Sequence, residues 1–138
     1  MKKRLVMFTA FLAAILCQAE WEAWTPAMLV EKADLIGVGI LDEVRRVQAN
    51  NKAHGEGTIR FSELLKGTTK EVVLKWDVGK PPVEDEIDYA ASAGKPLLWF
   101  LKRNQAGSFF VPHGDGIQNL SRKDEFKAII CVAKMHTL

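Results

Sequence analysis

Residues 96–101, PLLWFL, run apolar without a break between Lys95 on one side and Lys102 and Arg103 on the other. A strand apolar on both faces must be central or covered, because each face needs a dry partner. The run is also far too short to cross a bilayer, which takes about 20 apolar residues. The chain must therefore supply structure on both sides of this one strand.

The rest of the sequence supplies it. In WTPAMLVEKADL, Thr25 reads as an N-cap and Pro26 as the first helical residue, where its missing N–H costs nothing. The spacing predicts a short helix to about Ala33, burying Leu29, Ala33 and Met28. From Leu35 the period changes to two. LIGVGILDEVRRV puts Ile36, Val38 and Ile40 on one face and Gly37 and Gly39 on the other, the pattern of a long, strongly bent strand. QANNKAHGEG, residues 48–57, reads as a polar loop. TIRFSELLKG follows as a second strand with a bulge near Ser62 and Glu63, because Ile59 and Phe61 are out of phase with Leu64. EVVLKWDV alternates, with Val72, Leu74, Trp76 and Val78 inward.

Residues 79–95 form the longest non-strand stretch, acidic and carrying Pro81 and Pro82, and read as a loop holding at most one short helical turn. RNQAGS is a hairpin loop leading into FFVP. Ser121 is placed to cap a last amphipathic helix, with Asp124 three residues on in a box-like arrangement. Five strands, a curved first member, a long connection before the fourth and short helices at both ends predict a mainly β fold. The expected form is a small five-stranded OB-like closed barrel; an open antiparallel α+β sheet is the alternative.

The N-terminus sets the expected address. Lys2, Lys3 and Arg4 precede an apolar run from Leu5 to Leu16, and Ala19 stands at a cleavage position, the pattern of a secretory signal peptide. The expected organisation is a signal over 1–19 and a single domain over 20–138, secreted or periplasmic, with no stable membrane insertion after cleavage. Cys17 offers a lipid-anchored reading, against which the bulky Leu16 counts. Cleavage after Ala19 leaves Cys131 as the one thiol, so no intramolecular disulfide is available and the core must hold the fold.

The signal carries three of the 19 basic residues and none of the 17 acidic ones. The remaining chain is near neutral, without the basic stripe that phosphate binding needs, which excludes nucleic acid as an expected partner.

The succession ADLIGVGILDEV, IRFSELLKG, VVLKW and GKPLLWFLKR ahead of GSFFV resembles a widespread class of secreted bacterial domains. Their fold is similar to the OB barrel of tissue inhibitors of metalloproteinases and of netrin-like modules. The resemblance covers nearly the whole mature chain and implies a fold more than a function. Those inhibitors chelate a target's zinc through an N-terminal Cys-x-Cys start; here the mature start is EWEAW, so that mechanism does not carry over.

For chemistry, VPHGDGIQNL brings His113 and Asp115 together and makes them the candidate metal or small-ligand pair, with Asp77 or Glu56 as further donors. The competing reading is a turn in which Gly114 takes a positive φ. His54 and His136 are poorly anchored donors. Cys131 is expected on the buried helix face with Phe126, Ile129 and Ile130, inert as a small hydrophobe. No serine sits in a nucleophile elbow, and the carboxylates Glu84, Asp85, Glu86 and Asp88 read as a solvated loop.

Of the pairs Trp99/Phe100 and Phe109/Phe110, one member each is expected to face outward; that strip is either covered by the terminal helices or a binding surface, and in the second case Trp99 and Phe110 are the candidate protein-binding residues. The expectation is a non-catalytic binding module for a protein or peptide, using no cofactor. The alternative is a metal- or small-ligand-binding protein centred on His113 and Asp115.

Overall fold

The computed structural model describes residues 23–78 and 87–136. Residues 1–19, expected to be a signal, as well as Trp21 and the acidic run Glu84 to Glu86 lie outside the described residues. Helix α1 spans Pro26–Lys32, with Thr25 accepting the Met28 N–H at 3.2 Å as its N-cap. Its buried stripe is Leu29 and Val30, continued by Ala33 just past its end, while Met28 is half-buried. At its C-terminal end the Lys66 ammonium donates to the Val30 and Ala33 carbonyls at 2.9 and 2.6 Å, which satisfies groups that the helix itself leaves open.

Five strands close a ring. Strands β1 (Leu35–Ala49), β2 (Lys52–Lys66) and β3 (Glu71–Asp77) form the antiparallel meander. After the short helix α2 (Tyr89–Ser92), β4 (Pro96–Arg103) pairs antiparallel with β1 along residues 35–40. Strand β5 (Phe109–Phe110) links β4 back to β3, with Leu74 opposite Phe109 in parallel. A short β6 (Ile117–Gln118) adds to β4, and helix α3 (Lys123–His136) ends the fold. The OB-like ring with short terminal helices thus forms as the alternation predicts.

The ring can close because β1 bends. A Cβ on Gly37 would lie 2.6 Å from the Phe61 ring and 2.7 Å from the Glu63 carbonyl, so only glycine lets β2 approach this closely. The register between β1 and β2 slips from Val38↔Glu63 to Gly39↔Phe61, which places the expected bulge at Ser62; its hydroxyl donates to the Val38 carbonyl at 3.3 Å.

β4 is covered on both faces. Leu98 and Phe100 join Ile36, Val38, Phe126 and Ile130 under the two helices. Trp99 and Leu101 point into the ring with Leu41, Ile59, Leu74 and Phe109. The 99/100 pair divides as alternation expects, Trp99 into the ring and Phe100 outward beneath the helices, which cover it; both rings are fully buried, so the expectation of Trp99 as a protein-binding residue is corrected. The Trp99 indole N–H donates to the Gly39 carbonyl at 3.0 Å, so its polar atom is also used internally.

Three further expectations change. Residues 48–57 are no loop: Asn50 and Asn51, both at positive φ (53° and 62°), make a two-residue type I′ turn, and the strands run through on either side. The final helix is led by a 3₁₀ turn, Leu120–Arg122, capped by Asn119 rather than by Ser121. Cys131 is exposed. It follows Phe126 by five residues, about 140° round a helix, so it leaves the face that Phe126 and Ile130 bury.

Candidate functional site

His113 and Asp115 are a local structure. His113 caps the 3₁₀ turn Gly114–Gly116, its Nδ1 accepting the Asp115 backbone N–H at 3.1 Å, with the Asp115 carboxylate 3.4 Å away. The imidazole lies nearly flat on Trp24, centroids 4.8 Å apart at 20°. Gln118 closes the turn by donating to the Asp115 carbonyl, and Arg122 in turn holds Gln118 and Glu125. The expected positive φ at Gly114 is absent; the turn is 3₁₀ and needs none.

The carboxylates imagined as joining His113 stand elsewhere. Glu56 lies between Arg45 (3.4 Å) and His54 (3.7 Å), and Asp77 is the β3 neighbour of His54. Among the described residues no group of three or more His, Cys, Asp or Glu is placed to hold a metal ion. Asp88 accepts the Ala91 N–H at 3.0 Å as the cap of α2.

The concave surface lies where the β1–β2 hairpin runs past the last β1–β4 rung. Gly55 sits opposite Trp76 in the β2–β3 ladder, and a Cβ at Gly55 would collide with the indole nitrogen. The absent side chain lets the indole lie flat across the sheet. There it stacks on Tyr89 at 4.1 Å and 12°. Tyr89 is carried by α2, which Asp88 caps and which the Gly94 N–H ties to the Leu41 carbonyl at 3.0 Å. Burial pushes the Tyr89 phenol up to about 12, since a phenolate in this setting would lose its hydration.

The stacked pair is the wall between two open clefts, each of about 630 Å³. One runs toward Val44, Arg46 and Asp88. The other runs toward His54, Lys75, Asn104 and Phe110. Phe110, expected outward, is half-buried and lines this second cleft, while Phe109 is buried in the ring, so that pair does divide as alternation requires.

Sequence reasoning placed Trp76 inward but missed its partner, because Tyr89 lies in a stretch with no period. The signal that could have revealed the stack is the chain's single tyrosine beside a loop helix cap, Asp88. No protein-family model matches the chain, and no characterised protein matches it significantly in sequence.

Proposed function

We propose that this is an exported, non-catalytic binding module that contacts a protein or peptide partner through the two clefts flanking Trp76 and Tyr89. The observation that carries the reading is the stack itself: two large aromatic rings held rigid at a concave, half-exposed place, with polar groups at the rim and Phe110 beside them. Rigid aromatic anchors supply contact area at little entropic cost, which is why they dominate interface energetics.

The polar side chains around the ring favour binding over catalysis. Ser62 and Ser92 hydroxyls are spent on backbone carbonyls, and His113 on a turn. Secretion is part of the proposal, on the strength of the basic, apolar and small-residue succession over residues 1–19.

The test is capture of a partner from a fraction of exported proteins by wild type, Trp76→Ala and Phe110→Ala, each first shown to be folded by circular dichroism. Truncating an anchor of this kind costs about 2 kcal/mol or more of binding. A partner held by wild type should be lost by both variants. Equal retention by all three would place the binding surface elsewhere.

A further inference from the structure

Resting on that reading, we propose that the outer edge of β1 at residues 44–49 takes up an extended, acidic peptide segment of the partner as an added strand beside the Trp76–Tyr89 cleft. The argument begins with register. In a two-residue hairpin the residues flanking the turn exchange both backbone bonds, so Ala49↔Lys52, Val47↔His54 and Arg45↔Glu56 spend their N–H and C=O groups on β2. The intervening residues, Arg46 and Gln48, therefore point theirs away from β2.

The other half of β1 shows where those groups point. There Gly37 and Gly39 lie in the β4 ladder, and the Leu41 carbonyl takes the Gly94 N–H as the last rung on that side. Beyond it the chain turns away into α2, and among the described residues no strand pairs with this edge of Val44 to Ala49. A partner strand here would continue the line of β4. Its alternate side chains would fall on the face that holds Arg46, Gly55 and Trp76, which is the floor of the first cleft.

Charge selects the occupant. Arg45 pairs with Glu56, but Arg46 has no ion-pair partner among the described residues. Two copies of this edge laid together would bring both unpaired Arg46 guanidiniums into one short ladder, and like charges across strands are destabilising. The bulge between Asp42 and Arg45, with Glu43 at φ 57°, further twists the edge out of a flat self-pairing geometry. An acidic strand from a different chain meets neither obstacle, and β-strand addition gains its affinity from the main-chain bonds themselves.

Synthetic peptides of about eight residues, alternating valine with glutamate or valine with lysine, test this by calorimetry and amide NMR. The glutamate peptide should bind at least about tenfold more tightly, with slowed amide exchange at Arg46 and Gln48. Gln48→Pro removes an outward N–H while leaving the inward ladder intact, a substitution that edge strands tolerate. It should weaken binding by about tenfold or more. Gly55→Val displaces Trp76 and tests the cleft alone.

Loss in both variants supports the added strand beside the cleft. Loss in Gly55→Val with wild-type affinity in Gln48→Pro overturns the added strand and leaves the cleft reading standing. Loss in Gln48→Pro alone supports the strand and removes the aromatic wall from the interface. Binding of neither peptide, or equal binding of both, overturns the proposal.

Discussion

Two pairs of aromatic rings mark two different constructions in this molecule. Beneath the helices, Phe126 meets Phe100 edge to face at 4.6 Å, and both are wholly buried among aliphatic side chains. Past the last β1–β4 rung, Trp76 meets Tyr89 face to face at 4.1 Å with an open cleft on each side. The first pair has neighbours all round it; the second is held from behind and bare in front. The first pair serves packing alone, whereas the second leaves aromatic surface facing open space.

That contrast can be broken most severely at Phe126. Phe126→Ala removes a ring from a fully packed cluster and should cost about 3–5 kcal/mol of unfolding free energy, read by chemical denaturation. A loss below about 1 kcal/mol would mean that α3 is not seated as described. Lys66→Met is the next largest. It keeps the apolar stem but leaves the Val30 and Ala33 carbonyls without their donor, so a loss of about 1–3 kcal/mol is expected. Unchanged stability would show that water replaces the ammonium at no cost.

The smallest effect sharpens the other side of the comparison. The chain has one tyrosine, so phenolate absorbance reports Tyr89 alone. The folded phenol ionises near 12, above the ordinary 10, so the folded state holds its proton more tightly than the unfolded chain. Stability from this group is complete below pH 10 and is lost as the pH rises from about 10 toward 12. An absorbance midpoint near 10 in the folded protein would show that the stack leaves the phenol open to water.

The same contrast explains what the sequence could and could not reveal. The helix-covered wall was legible because burial imposes a pattern: Thr25 and Pro26 mark the start of α1, PLLWFL announces a strand covered on both faces, and the phase slip at Ser62 exposes the bulge. The hairpin was hidden because its covered positions are glycines. Gly55 and Gly57 are buried, Gly55 beneath the Trp76 indole, but a glycine adds no apolar residue to the alternation, so a strand there looks like a polar loop.

The cleft was hidden for a related reason: Tyr89 reaches Trp76 across the fold, and no local period records such a meeting. Trp99 and Cys131 erred in opposite directions. Alternation alone does not say which member of the 99/100 pair turns inward, so Trp99 was assigned outside, and counting apolar neighbours along the chain rather than around the helix put Cys131 inside.

The closure of the ring bears on how the protein assembles. Strands β1, β2 and β3 meet through short turns, and such contacts form at little entropic cost. The seam between β1 and β4 is different: the bond from the Trp99 indole to the Gly39 carbonyl joins residues 60 apart in the chain. Non-local pairings of that kind slow folding, because the connecting chain must be ordered before the contact rewards it. The meander and its hairpin are thus the natural early structure. Burial of Trp99 marks the step at which a curled sheet becomes a closed one, and its fluorescence would time that step in a variant whose other three tryptophans are replaced by phenylalanine.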